Sequence, residues 1–399
     1  MAKKSKKPKN INLAKIRIVG VGGAGGNAVT RMSDEFPRGT DSVVINTDVQ
    51  DLNFCIAKKK VYIGKNLTKG LGTGMNPDLG RQAAEENQAE IAEVLSGADM
   101  VFLTAGFGGG TGTGALPIVA EIAKDLGILT VAIVTKPFVF EGFERRRIAE
   151  EGIARIKDKV DTLITIPNDR IFSVINQNTP LIKAFEAVDE ILKNSVIGVA
   201  DLIATAGIIN VDFADVKAII QNAGSAIIGI GYSTGAERAT TAAHLAINSP
   251  LLEISIDGAK RILFSVSGHR DLKMSEINDV ARMIAEHANS SAKIIFGAHY
   301  DRKLKKGQLK VTLIAADFNG DVVKSSNNGI LPNLFISEEI IPKIETSAIS
   351  GGKDVKDVKK KAAFQSEPRQ GREEIISEEK NENWDDVYDI PAFLRKKKK

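Results

Sequence analysis

Two glycine-rich loops, each lying between an apolar strand and a helix, constrain this chain more than any other feature of its sequence. Gly20, Gly22 and Gly25 have the G-x-G-x-x-G spacing directly after the first predicted strand. Residues 105–115 have glycine at six of the nine positions 106–114. Glycines permit a tight turn, and the N–H groups at a helix start bind anions. Both loops therefore predict turns that hold phosphate groups.

The alternation of apolar runs and helical patterns predicts an α/β fold. From Lys15 to about Lys136, near-continuous apolar strands alternate with helices, the pattern of a doubly wound parallel sheet covered on both faces. After Gly207 a second set of helices and strands predicts a smaller α+β domain. A long helical stretch at about 180–205 lies between the two parts and is expected to join them.

Composition and charge exclude several classes of protein. No run of 18 apolar residues occurs, so no membrane-spanning helix is predicted. Four His and one Cys are too few for a His/Cys metal site with ordinary ligand spacing, and a lone Cys55 fits a reducing cytosol. Residues 15–318 carry a net charge of −1, because the positive charge lies at the two ends of the chain. No basic face for nucleic acid is therefore expected.

The first loop by itself leaves the kind of nucleotide open. With Asp48 near the end of the second strand, it would also suit an NAD-dependent oxidoreductase with a Rossmann domain. The second loop argues against that class, because a Rossmann fold has no use for another phosphate loop after its fourth strand. The P-loop pattern is absent from the sequence. A nucleotide held by backbone N–H groups and threonine hydroxyls remains, either with turnover or in a structural protein without it.

A set of motifs resembles the tubulin/FtsZ GTPase superfamily, and its bacterial FtsZ branch in particular. The matching strings are GGAGGNAV at 22–29, INTD at 45–48, GLGTGMNP at 70–77, GGGTGTG at 108–114, KPFVFEGFERR at 136–146 and NVDFADV at 210–216. They keep the order and spacing of the family over about residues 15–318. DIPAFLR at 389–395 resembles the family's C-terminal peptide.

The resemblance implies a site that binds GTP and hydrolyses it to GDP and phosphate. The residues expected at the phosphates are Gly23, Ala24, Gly25, Gly26, Asn27, Gly72, Thr73, Gly74, Gly108, Gly109, Gly110, Thr111, Gly112 and Thr113, with Asn27 also near the guanosine. Glu141 and Arg145 are expected near the ribose and phosphates, and Asn168, Phe185 and Asp189 at the base. Asn168 and Asp189 would read the guanine edge, and Phe185 would stack on the base. Mg²⁺ would bridge phosphate oxygens, and no protein ligand is assigned to it.

The acidic motif at 207–216 has two interpretations. Asp212 is a good N-cap for the next helix, and Asp215 follows at a spacing like that of a capping box, so helix capping alone would explain both. The resemblance implies instead that Asn210, Asp212 and Asp215 are catalytic and act on the GTP of a neighbouring subunit. Contacts of this head-to-tail kind do not close on themselves and build open filaments.

Composition and resemblance together divide the chain into six segments. They are a basic N-terminal tail (1–14), a GTP-binding domain (15–178), a central helix (179–206), a C-terminal α+β domain with the catalytic loop (207–318), a disordered linker (319–383) and a C-terminal peptide with a basic end (384–399). Residues 384–395 are expected to dock on membrane-tethering and regulatory division proteins, such as an FtsA-like anchor. The implied protein is a filament-forming GTPase that scaffolds the bacterial division ring, in the cytoplasm at mid-cell on the inner face of the membrane.

Overall fold

The computed structural model describes residues 14–173, 175, 179–204, 207–249, 255–301 and 303–318. The predicted linker (319–383) and C-terminal peptide (384–399) lie outside the described residues, as does all of the predicted N-terminal tail except Ala14. Among the helices that are described, none combines the length and the apolar character that crossing a membrane would require.

Within the described residues the chain forms ten strands and eleven α-helices. The strands are β1 (Ile16–Val21), β2 (Thr40–Asn46), β3 (Lys59–Tyr62), β4 (Met100–Gly106), β5 (Leu129–Lys136), β6 (Thr162–Pro167), β7 (Gly224–Thr234), β8 (Arg261–Gly268), β9 (Lys293–Tyr300) and β10 (Gln308–Ala316). The helices are α1 (Gly22–Met32), α2 (Val49–Phe54), α3 (Lys65–Thr68), α4 (Pro77–Glu86), α5 (Gln88–Leu95), α6 (Thr111–Asp125), α7 (Phe143–Ile156), α8 (Leu181–Ala204), α9 (Phe213–Ile220), α10 (Arg238–Ile247) and α11 (Met274–His287).

These ten strands form one sheet in the order β3-β2-β1-β4-β5-β6-β7-β10-β8-β9. The strands β1 to β6 are parallel, whereas β10 runs antiparallel to both β7 and β8. The two parts meet where residues 162–164 of β6 pair with residues 224–226 of β7. The predicted fold class is confirmed, and the sheet that continues through both parts is an additional finding. The domain boundaries expected from the sequence stay predictions.

The parallel half of the sheet has an apolar core on each face. In β1, Ile16 and Ile18 pack against α1 and α8, while Val19 and Val21 pack on the opposite face with α4, α5 and α6. Alternate strand residues point to opposite faces, and both faces are covered, so the strands are apolar throughout. The core beside α8 continues through α9, β8 and β10 into the second half of the sheet.

Residues 77–95 form two helices, α4 and α5, although a single helix would fit their sequence. Asn87 separates α4 from α5, with φ −112° and ψ 26°. Its side-chain oxygen accepts the backbone N–H of Gly64 at 2.9 Å, and its side-chain nitrogen donates to Glu90 at 2.8 Å. The break thus serves a contact with a residue 23 positions away, which helical periodicity does not reveal.

Candidate nucleotide site and acidic loop

A cavity of about 440 Å³ opens at the carboxyl ends of the parallel strands. Val21, Asn46 and Gly106, which end β1, β2 and β4, line it together with Thr135 near the end of β5. In open α/β sheets, ligands bind in the crevice outside these strand ends. The topology therefore places a ligand site where the two glycine loops leave the sheet.

Most of the residues predicted from the sequence to bind GTP line this cavity. They are Gly23, Ala24, Asn27, Gly72, Thr73, Gly74, Gly109, Gly110, Thr111, Gly112, Glu141, Arg145, Asn168, Phe185 and Asp189. The cavity is also lined by residues that the sequence did not single out for this role, among them Arg31, Asn46, Asp51 and Met75.

The first glycine loop is itself the first turn of α1. No side chain caps this end of the helix, and its first turn contains no acidic residue. The glycine at position 25 allows a close approach, since a Cβ added there would lie 2.5 Å from the carbonyl oxygen of Thr104. The helix start therefore presents uncapped N–H groups and a partial positive charge, which suit an anion.

The second glycine loop leads into α6 in the same manner. Gly110 occupies the N-cap position without a side-chain cap, and Thr111 and Gly112 begin the helix. Because α1 and α6 both start at the cavity, two helix N-termini converge on one space. This arrangement can hold two neighbouring phosphate groups without a lysine.

Three threonine hydroxyls meet at the start of α6. Thr111 Oγ1 lies 2.6 Å from Thr47 Oγ1 and 3.1 Å from Thr73 Oγ1, and all three residues are buried. They bring the INTD motif, the 70–77 loop and the second glycine loop together. The role of Thr47 was missed from the sequence, although it lies inside a quoted motif.

Four of the predicted residues do not line the cavity: Gly25, Gly26, Gly108 and Thr113. The backbone N–H of Gly108 donates to Thr113 Oγ1 at 3.0 Å, which fixes the shape of the second loop. A Cβ added to Gly26 would lie 2.8 Å from Cys55 Sγ, so this glycine lets α1 pack on α2. A direct contact of these four residues with GTP stays a prediction.

Phe185 and Asp189 lie four residues apart on α8 and therefore on one helix face. Asp189 accepts a hydrogen bond from Arg31 of α1, with which it forms an ion pair. Burial raises the pKa of Asp189 to about 6, although Arg31 acts to lower it. Phe185 packs edge-on against the buried Phe138, with ring centroids 5.4 Å apart.

Two amide side chains at the cavity are buried with an unsatisfied polar atom. Asn168 Oδ1 and Asn46 Nδ2 have no hydrogen-bond partner among the described residues. Buried polar atoms are nearly always paired, so such atoms in a cavity wall point to a ligand that pairs with them. The observation suits the predicted role of Asn168 and adds Asn46 to the candidate residues.

Glu141 and Arg145 form a fixed pair at the cavity rim. Arg145 Nη1 donates to Glu141 Oε2 at 3.1 Å, and Glu141 Oε1 accepts the N–H of Phe138 at 2.9 Å. The sequence alone would have placed this arginine on a solvated helix face. The structure places it in the first turn of α7, where it lines the cavity.

The acidic motif is not part of the cavity wall. Asp212 is the N-cap of α9, and Asp212 and Asp215 are both exposed. Asn210 Oδ1 accepts the backbone N–H of Gly207 at 2.6 Å, and Ile209 forms an antiparallel bridge with Ala298 of β9. The loop is thus held on the second half of the sheet.

The length of α8 separates the acidic motif from the cavity. Phe185 and Asp189 lie near the start of this helix, whereas Asn210 follows its end. From Leu192, the last residue of α8 that lines the cavity, to Ala204 at its end, the helix runs about 18 Å at 1.5 Å per residue.

A parallel sheet with two uncapped helix starts around one cavity is the site of a nucleotide-binding protein. Residues 15–176 match the Tubulin/FtsZ family, GTPase domain, and residues 224–319 match the FtsZ family, C-terminal domain. An FtsZ dimer from M. jannaschii, described as empty, is 48% identical, with a TM-score of 0.73 over 76% of this chain and 88% of that chain.

A point variant of M. jannaschii FtsZ is also 48% identical, with a TM-score of 0.74 over 76% of this chain and 91% of that chain. CetZ2 from Haloferax volcanii, solved as a GTPγS-bound protofilament, is 21% identical, with a TM-score of 0.66 over 75% and 92% of the two chains. That last likeness concerns the fold alone.

This chain belongs to the FtsZ family and is a GTPase. The predicted family and activity are confirmed, and the oxidoreductase and the structural protein without turnover are excluded. Because M. jannaschii is an archaeon, the resemblance to the bacterial branch stays a prediction.

Proposed function

We propose that this protein assembles head to tail into filaments and hydrolyses GTP where two subunits meet. The observation that carries the proposal is the separation along α8 between the cavity and the acidic motif. A carboxylate beyond the far end of α8, after about 18 Å of helix that does not line the cavity, cannot reach the GTP of its own chain. It can act on a nucleotide that a second copy presents to it.

The carboxylates that line the cavity also support a site shared between two subunits. Three of these carboxylates make contacts within the chain. Asp48 caps α2, and Glu141 accepts the backbone N–H of Phe138. Asp189 forms an ion pair with Arg31. The cavity thus offers positive helix ends and hydroxyls for holding phosphates. A group that polarises water would come from Asp212 or Asp215 of the next subunit.

The proposed reaction is attack of water on the γ-phosphorus, which releases GDP and inorganic phosphate. Asp215 would accept hydrogen bonds from the water and draw its proton, while Asn210 would help to orient it. The residues lining the cavity would hold the nucleotide. The helix N-termini of α1 and α6 would stabilise the charge on the phosphates.

The donor set fits Mg²⁺ held mainly by the nucleotide. Within the described part of the chain, no group of three or more His, Cys, Asp or Glu side chains could hold a metal ion. Mg²⁺ commonly keeps several waters and binds through phosphates and one or two protein oxygens. Thr73 and Thr111 provide hydroxyl oxygens at the cavity. When bound, Mg²⁺ would offset phosphate charge.

Self-association has support from a relative, because the M. jannaschii FtsZ structure at 48% identity is a dimer. We extend the proposal to a scaffold of the division ring, located in the cytoplasm on the inner face of the membrane at mid-cell. Membrane-tethering partners, an FtsA-like anchor among them, would bind residues 384–395, which lie outside the described residues.

A mixing experiment tests the shared site. Asp215→Asn keeps the GTP pocket and loses the acidic group, whereas Gly110→Val keeps the acidic motif and loses the pocket. Each variant alone should release almost no phosphate, and a mixture should regain part of the activity at the junctions between unlike subunits. Absence of recovery, with co-assembly shown by co-sedimentation, would exclude the shared site. Light scattering after addition of GTP, GDP or ATP to the wild type should rise with GTP alone.

A further inference from the structure

Two helices meet at the deep end of the cavity, and each contributes a pair of side chains. Asn27 and Arg31 lie four residues apart on α1, and Phe185 and Asp189 lie four residues apart on α8. All four line the cavity, and Arg31 joins the helices through its ion pair with Asp189. The side chains of Arg31 and Asp189 are 23% and 20% exposed, so solvent screens this pair only partly.

We propose that Arg31 is a specificity-determining positioning residue, which holds the Asp189 carboxylate ionised and aimed at the guanine base. The inference rests on the proposed role of Asp189 in reading guanine. It adds a residue that the resemblance and the motifs do not assign. Arg31 would act through Asp189 rather than through the reacting phosphate.

The environment of Asp189 makes such a partner necessary. Burial raises the pKa of its carboxyl, Glu186 on the same helix adds to the rise, and Arg31 from α1 opposes it, so that the pKa is raised to about 6 with Arg31 in place. The other charged residues of the cavity walls are Asp48, Asp51, Glu141 and Arg145. An opposite charge in contact lowers the pKa of a carboxyl by about one to three units. Removal of Arg31 would therefore leave Asp189 largely protonated near neutral pH.

The charge of Asp189 matters because guanine presents two donors on one edge. An ionised carboxylate accepts hydrogen bonds from both the N1–H and the N2 amino group, whereas a neutral carboxyl group must place a proton on one oxygen. Xanthine carries an oxygen where guanine carries the amino group. An ionised carboxylate repels that oxygen, and a neutral carboxyl group tolerates it. Preference for guanine over xanthine thus reports the protonation state of Asp189.

The test measures the affinity of the full-length protein for GDP and for xanthosine diphosphate between pH 5.5 and 8.5. In the wild type, GDP affinity should fall as the pH drops through about 6, where Asp189 becomes protonated. In Arg31→Gln the midpoint should move up by about one to three pH units. At pH 6.5 the variant should bind GDP about threefold more weakly for a shift of one unit and more than tenfold more weakly for larger shifts, since each pH unit below the midpoint costs a factor of ten. Its preference for GDP over xanthosine diphosphate should shrink.

Three further variants make the result decisive. Arg31→Lys should keep the midpoint near that of the wild type, because the positive charge remains. Arg38→Gln removes an exposed arginine after the same helix and should change nothing. Arg31→Met keeps the aliphatic packing and replaces Arg31→Gln if circular dichroism shows that the latter is unfolded.

Failure of this inference can be distinguished from failure of the proposed base reading. An unshifted midpoint and unchanged selectivity in both Arg31→Gln and Arg31→Met, with GDP binding impaired in Asp189→Asn, would overturn the role of Arg31 alone. Wild-type GDP affinity and selectivity in Asp189→Asn would overturn the assignment of Asp189 to guanine, and the inference with it.

Discussion

Asp212 Oδ1 accepts the backbone N–H of Asp215 at 2.7 Å, and this hydrogen bond begins α9. The bond uses the carboxylate of Asp212 and only the main chain of Asp215, whose own side chain is exposed. The two acidic residues, which looked alike in the sequence, therefore differ in what they do for the fold. Substitutions at the two positions should differ accordingly.

Asp215→Asn should leave the free energy of unfolding nearly unchanged, because the side chain is exposed and does not cap the helix. GTP affinity should stay at the wild-type level, since the cavity is not touched. Turnover should fall by roughly 10²-fold or more, the scale for losing a general base or a water-positioning group. Phosphate release and nucleotide binding measured on one preparation check this. Wild-type turnover would contradict the catalytic role.

At Asp212 two substitutions separate capping from charge. Asp212→Ala should lower the free energy of unfolding by roughly 0.5–2 kcal/mol, whereas Asp212→Asn should cost little, because asparagine caps as well as aspartate. If the charge also serves the reaction, both variants should lose turnover. Urea denaturation gives the first quantity, and phosphate release gives the second. Full GTPase activity in a stable Asp212→Asn variant would show that Asp212 only caps α9 and that its charge is not needed for hydrolysis.

Gly110→Val should abolish GTP binding. A Cβ at this position would lie 2.1 Å from Thr73 Oγ1 and 2.8 Å from the backbone nitrogen of Asn76, so the start of α6 must shift. The phosphate-binding N–H groups shift with it. Leu126→Val, at an exposed position just after the same helix, is the control for a valine introduced away from the cavity. Equilibrium binding of labelled GTP checks the loss, and thermal unfolding checks that the fold survives.

Gly297→Ala should disturb the segment that carries the acidic motif without affecting the cavity. An added Cβ would lie 2.8 Å from Leu202 Cδ2 and 3.0 Å from Val211 Cγ2, so the side chain of Val211, which follows Asn210 of the acidic motif, would have to shift. We expect lower turnover with unchanged GTP affinity. Gly268→Ala at the end of β8 is the matched control. Its added Cβ would lie no closer than 3.3 Å to any atom of Leu272, its nearest neighbour, so it disturbs its surroundings less. Equal turnover in the two variants would show that the packing of Val211 on Gly297 does not position the acidic motif.

Deletion of residues 384–399 should leave GTP hydrolysis and filament assembly broadly intact. These residues hold six large apolar side chains in twelve positions, 384–395, too few for a core of their own. Binding to membrane-tethering partners should be lost. Co-sedimentation of filaments with a tethered partner measures the effect. Loss of assembly itself at both low and ordinary salt would contradict the docking role.

Sequence reasoning predicted the parts of the site that depend on local backbone geometry. The two glycine loops, the strands before them and the helices after them follow from patterns a few residues long. Asn27, Thr111 and Glu141 were found for that reason, since each lies in or beside a motif. Arg31 was missed, because its significance depends on Asp189, 158 residues away along the chain.

By itself, the sequence determined the family, the fold class, the two phosphate-binding turns and the acidic motif. Only the tertiary structure decided that one sheet runs through both parts by pairing β6 with β7, that α1 and α6 start at one cavity, and that the acidic motif lies beyond the far end of α8. The physical reason is that turns, caps and periodicity depend on neighbouring residues. Strand order, ion pairs between helices and the distance between two sites depend on how distant segments pack.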